Sequence, residues 1–153
     1  MKGTSILSNK WDIRFLEMAK LVASWSKDPS TQVGAIAVRN RTVIAQGYNG
    51  FPRGVDDHEL YYLNKAIKYK RIVHAEMNAI YNAAENGVSL KDSTIYVIGL
   101  PICHDCAKGL IQAGVKRVVM PMIEKMNDKW KASCADAQMF FDEAKVKWEW
   151  IKL

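Results

Sequence analysis

Residues 94–120 read as strand, helix and strand in close succession: TIYVIG (94–99), CHDCAKGLIQAG (103–114) and VKRVVM (115–120). A connection of this kind returns the chain in its original direction, so the two strands are expected side by side and parallel, joined by a right-handed crossover. Parallel strands are buried on both faces, which means helices must cover the sheet from two sides. The rest of the chain has to supply those helices and the remaining strands.

It does so in order. Trp11, Phe15, Met18, Val22 and Trp25 recur at helical spacing after two candidate N-caps, Ser8 and Asn9, and predict an amphipathic first helix. VGAIAVRN (33–40) and TVIAQG (42–47) are short β-branched runs that read as a hairpin turning near Asn40-Arg41. GYNGFPRGVDD (47–57) is too rich in glycine and proline to be regular. A polar helix from Asp57 to Lys70 follows, and then HAEMNAIYNAAENG (74–87), a helix closed by Gly87 at its C′ position. A further helix is expected from about Asp128 to Glu143, and VKWEWIKL (146–153) closes the chain as a strand and candidate sheet edge. Five strands alternating with helices argue for a helix-covered mixed sheet, and without repeats or linker tracts residues 1–153 are expected to form one domain.

Composition narrows the function classes. No run of 18 apolar residues occurs, so no membrane span is expected. The start, MKGTSILSNKW, lacks the apolar core of a secretory signal, which makes a cytoplasmic location the expectation. There a pair of cysteines binds metal or does redox work more readily than it forms a bridge. The third cysteine, Cys134, lies in a helical stretch and reads as a small core or surface residue. The net charge of +6 suits a phosphate-bearing ligand of any size. The basic residues are scattered, however, and the one cluster (Lys65, Lys68, Lys70, Arg71) reads as a solvated helix face, so no nucleic-acid partner is expected.

Two stretches carry metal-type residues at helix starts: His74-Ala75-Glu76 and Cys103-His104-Asp105-Cys106. Inside a helix, residues two apart point about 200° apart, so His74 and Glu76 could not serve one atom there; at a first turn both can reach over the helix end. Cys103 and Cys106 share a face. A catalytic zinc takes three protein ligands and leaves one position open for water, and His74, Cys103 and Cys106 supply three. Glu76 then stays off the metal as the group that takes a proton from water. Helix N-termini at both stretches favour thiolates over thiols. His104 as a fourth ligand would close the site, so it is expected to face solvent or a substrate phosphate, and His58 is expected at the surface. A lone C-x-x-C would read as a redox pair, but redox motifs of that kind lack an H-x-E partner.

H-x-E followed by a C-x-x-C 26 residues later has the form of the zinc nucleobase deaminase signature, with one departure: Ile102 precedes the first cysteine where proline is expected, and Pro101 stands one place earlier. KDPSTQVGAIAV (27–38), GYNGFPRG (47–54), VHAEMNAI (73–80) and CHDCAKGLIQAGVKRVV (103–119) together resemble the deoxycytidylate (dCMP) deaminases, including those of bacteriophages. The resemblance implies a cytidine-deaminase-like three-layer α/β/α sandwich with a five-stranded mixed sheet. It implies hydrolysis of dCMP to dUMP and ammonia, supplying thymidylate synthesis, in the cytoplasm (the host's, for a phage protein). It also implies a homo-hexamer activated by dCTP and inhibited by dTTP, with Mg2+ on the triphosphate.

By the same resemblance Asn49 meets the substrate sugar, Ala75 joins the substrate side, and Ser26 and Lys27 are candidates for its phosphate. The segment Gly47, Tyr48, Asn49, Gly50, Phe51, Arg53 and Gly54 is assigned to the effector. Physically, its glycines could admit a phosphate to backbone N–H groups, with Arg53 adding a charged contact. The few remaining cysteines and histidines predict one zinc per chain, without a second, structural site. Two other readings share the same motifs: a tRNA adenosine or polynucleotide cytosine deaminase, and an inactive zinc-stabilised nucleotide-binding module. The first would want stacking surfaces that are not evident in the sequence, and the second has no need of Glu76.

Overall fold

A computed structural model describes residues 2–5 and 10–153, with side chains described from residue 10 onward. The elements run β1 (Lys2–Ser5), α1 (Lys10–Ala23), β2 (Gly34–Arg39), β3 (Thr42–Tyr48), α2 (Glu59–Leu63), α3 (Lys65–Arg71), α4 (Ala75–Glu85), β4 (Thr94–Ile98), α5 (His104–Gln112), β5 (Arg117–Pro121), α6 (Asp128–Glu143) and β6 (Lys147–Ile151). The candidate caps Ser8 and Asn9 lie outside the described residues.

The strand–helix–strand unit forms as expected, with β4 and β5 paired in parallel. The sheet order is β1-β6-β5-β4-β2-β3, in which β2 runs antiparallel to both neighbours and β4, β5, β6 and β1 are parallel. All five expected strands are present. A sixth, β1, adds outside β6, so the closing strand is interior and its alternating Trp148 and Trp150 face is covered by neighbours rather than standing at an edge. The β2–β3 turn holds Asn40 at φ 52° and Arg41 at φ 59°, the double left-handed conformation whose twist suits a two-residue hairpin.

Alternation along the strands divides the core into two layers. Ala35, Ala37, Ile95, Val97, Val118 and Met120 meet α4, α5 and α6 on one face. Ile36, Val38, Tyr96 and Val119 meet Phe15, Leu16, Ala19 and Val22 of α1 on the other. This is the three-layer α/β/α sandwich, with one helix on one side and three on the other.

Two local expectations are corrected. The apolar face of α1 is rotated from the expected stripe: Leu16, Ala19 and Ala23 are buried, whereas Met18 is 42% and Trp25 48% exposed. Two things turn it. The helix ends at Ala23, which leaves Trp25 outside its periodicity. Asp12 is also drawn inward, where Arg117 donates to both its carboxylate oxygens at 2.9 Å and Tyr96 donates at 2.7 Å. The expected helix over 57–70 is two short helices. Asn64 leaves the helical region (φ −95°, ψ 107°) and its side chain accepts from the Ile67 N–H at 3.2 Å, ending α2 and capping α3 in one residue.

Candidate active site

His74 is the N-cap of α4 and Cys103 the N-cap of α5, so both motifs do stand at helix starts. The two helices are held close by Gly109, where a β-carbon would come within 2.7 Å of the Met77 sulfur. As a result the Nδ1 of His74 lies 3.5 Å from Cys103 Sγ and 3.3 Å from Cys106 Sγ, and all three donor atoms fall within 4.8 Å of one another. Tetrahedral zinc bonds of about 2.3 Å to sulfur and about 2.0–2.1 Å to nitrogen would place nitrogen and sulfur roughly 3.5 Å apart, so the set fits that ion.

The electrostatics agree with the geometry. The hydrogen bond from Cys106 holds the Cys103 thiol down at about 4 against the effect of burial, and His74 adds to it. Cys106 is pushed up, first by Cys103, then by burial and the Glu76 carboxylate, so without an added cation one thiolate is the natural state of the pair. His74 is raised by its bond to Cys103, which outweighs burial. Glu76 is 3% exposed, and burial pushes its carboxyl up to about 7, only partly offset by His74. A group poised near neutrality can both take and give a proton.

A cleft of about 430 Å³ opens beside this centre, and His74, Ala75, Glu76 and Asn49 all line it. Asn49 is engaged within the fold: its Oδ1 accepts from Val33 N–H at 2.8 Å, and its Nδ2 donates to Thr31 O at 2.9 Å. Ser26 and Lys27 do not line the cleft. Ser26 is buried and donates to the Asn49 carbonyl at 2.7 Å, and Lys27 pairs with Asp57 at 2.8 Å.

The glycine-rich loop has mostly structural partners. Gly47 packs on α4, Gly50 exchanges backbone hydrogen bonds with Val73 at 2.8 and 3.1 Å, and Phe51 stacks on Tyr62 at 4.1 Å. Gly54 takes φ +77°, Tyr48 is 40% exposed, and Arg53 pairs with Asn82 and, at 2.8 Å, with Glu85. His104 turns to Ser133 on α6, 2.7 Å from its Nδ1, and His58 caps α2. Cys134 is a core residue of α6.

Sequence reasoning missed Asp28, Lys68, Tyr69, Lys125 and Trp130 in the cleft wall. Lys68 was hidden by its neighbours: within a run of basic residues it reads as solvated, yet it points inward to Asp28, 2.6 Å away. A dyad of Lys68 three residues into α3 and Asp28 in a loop has no signature in the linear pattern.

Comparisons with known proteins fit this geometry. Residues 9–122 match the family model described as the cytidine and deoxycytidylate deaminase zinc-binding region. An uncharacterized deaminase in the luxG 3′ region of Aliivibrio fischeri is 39% identical over 95% of this chain and 96% of its own length. Human deoxycytidylate deaminase is 38% identical over 90% of this chain and 77% of its own. The dCMP deaminase of cyanophage S-TIM5, solved with dCMP and dUMP, superposes with a TM-score of 0.73 at 26% identity, covering 94% of this chain and 98% of the phage protein.

Proposed function

Because this chain belongs to the cytidine and deoxycytidylate deaminase family, we propose that it hydrolyses dCMP to dUMP and ammonia with one zinc per chain. The observation that carries the reading is the buried His74–Cys103–Cys106 set at one wall of a cleft that Glu76 also lines. Zinc held by those three residues would supply a Lewis acid that lowers the pKa of water to about 7. Glu76 takes the proton that water gives up and delivers it to the ring nitrogen N3 of cytosine. The C4–O bond forms as the ring accepts that proton. Glu76 then passes the second water proton to the exocyclic amine, the C4–N bond breaks, and ammonia leaves. Burial suits Glu76 to this work, since a carboxyl near neutrality is recharged easily in both directions.

The finer parts of the reading concern regulation. Arg53, with its side chain 67% exposed, can exchange Glu85 for a phosphate, which supports control by dCTP and dTTP, carried with Mg2+, in a homo-hexamer. The deciding experiment is ammonia release by the zinc-loaded protein from dCMP, dCTP, deoxycytidine and single-stranded DNA, with and without added dCTP. Turnover of dCMP well ahead of the other three is expected. Turnover of the polynucleotide first, or of none, would refute the assignment.

A further inference from the structure

Two lysines line the cleft, Lys68 and Lys125, and only one of them is fixed. The Lys68 side chain is 13% exposed and its ammonium lies 2.6 Å from Oδ2 of Asp28, whose side chain is 1% exposed. Asp28 is itself immobilised. Its Oδ1 accepts from the N–H groups of Ser30 and Thr31 at 2.9 and 3.3 Å, and Oδ2 also faces Asn49 Nδ2 at 3.5 Å. Lys125, by contrast, is exposed.

Withdrawing two charges from water is costly, and folding alone does not require it at this position. A lysine left in solvent would serve α3 equally well, as Lys65 and Lys70 do on the same helix. What the pair achieves is an ammonium held in one place at a cleft wall. An ammonium carries three donors, so contact with Asp28 leaves others for a ligand. The pair is close to neutral by itself, and an incoming dianion would share the ammonium with Asp28 while Lys125 brings further positive charge.

We propose that Lys68, anchored by Asp28, receives the 5′-phosphate of the substrate and sets the preference for a nucleoside monophosphate over the nucleoside. This rests on the deaminase reading of the same cleft and adds to it the group that recognises the phosphate. Ser26 and Lys27, expected for that task, face away from the cleft, whereas Lys68 lines it together with Glu76.

The test compares kcat/KM for dCMP and deoxycytidine in wild type, Lys68→Met and Lys125→Met. The dCMP-to-deoxycytidine ratio should fall about 10- to 100-fold in Lys68→Met, chiefly through KM for dCMP, and by less in Lys125→Met. Lys68→Met leaves Asp28 buried without its partner, so Lys68→Met/Asp28→Asn is measured alongside it. For that variant the readout is calorimetric binding of dUMP against deoxyuridine, which needs no turnover. Loss of the dUMP preference in the folded double variant supports the assignment. An unchanged ratio, an equal fall with both substrates, or a dUMP preference that survives in the double variant overturns it. Wild-type protein that releases ammonia from neither substrate defeats the deaminase reading instead, and the binding comparison still decides the role of Lys68.

Discussion

The backbone of Gly47 lies against α4 so closely that a β-carbon there would come within 2.4 Å of the Ala75 carbonyl oxygen. The contact joins β3, which leads into the glycine-rich loop, to the first turn of the helix that carries Glu76. It is reinforced along the outer edge of the sheet by two asparagines one turn apart. Asn78 donates to the Tyr48 carbonyl and Asn82 to the Gln46 carbonyl, both at 2.7 Å. Strand carbonyls at an open edge would otherwise invite another strand, and here α4 satisfies them.

Gly47→Ala should therefore push α4 off β3 instead of merely stiffening the strand. A destabilisation of about 1–3 kcal/mol is expected from overpacking, together with a lower zinc content, because His74 moves with the helix. Denaturant midpoints and metal analysis of the purified variant check both. Wild-type values for the two would show that strand and helix can separate freely.

Glu76→Gln should keep the fold and the zinc while losing the proton carrier. Turnover of dCMP is expected to fall by at least ~10²-fold, the usual contribution of general acid–base catalysis. Metal-replete protein that turns over near the wild-type rate would remove Glu76 from the assigned role.

Cys103→Ala or Cys106→Ala leaves two donors, too few to hold the ion firmly, and should abolish both zinc retention and activity. Elemental analysis of the wild type should give one zinc per chain. Two per chain would mean a second site exists, and reversible dithiol–disulfide cycling without metal would favour redox chemistry.

The buried cluster of Asp12, Tyr96, Arg117 and Glu149 predicts how stability responds to acid. Arg117 Nε donates to Glu149 at 2.7 Å while its two terminal nitrogens hold Asp12, so one guanidinium ties α1 to β5 and β6. Burial opposes the charge on Asp12, but the bonds from Arg117 and Tyr96 outweigh it and keep the carboxyl below its ordinary 3.8. A carboxyl depressed in the folded state binds its proton more readily when unfolded, so its contribution is complete above pH 3.8 and disappears as pH falls further through the folded value. Unfolding free energy measured between pH 6 and about pH 2 should drop less steeply at the acid end for Asp12→Asn than for wild type. Parallel curves would show that Asp12 does not drive the loss.

Arg53→Ala tests the regulatory loop. Removing a charged phosphate contact should raise the dCTP concentration needed for half-activation about 10- to 100-fold. Saturation curves for dCMP at rising dCTP and dTTP, with magnesium, give the comparison. A wild-type curve indifferent to both nucleotides would mean that this chain lacks the switch.

The residues that bind metal and move protons in this reading were legible in the linear chain because each is placed by a local event. His74 and Cys103 open helices, and once two helix starts meet at one end of the sheet their donors converge. The parallel β4–β5 pair and the Asn40-Arg41 turn were legible for the same reason: each follows from a few neighbouring residues. What escaped depends on partners far away in sequence. The buried face of α1 was decided by Arg117, 105 residues beyond Asp12. The β6 strand became interior only because the chain's first residues pair with it. Lys68 turned inward because Asp28 had been fixed beside Asn49. Periodicity and spacing report which side of its own element a residue occupies, whereas the partner of a charge is chosen by the desolvation and hydrogen bonding of groups that only the tertiary structure brings together.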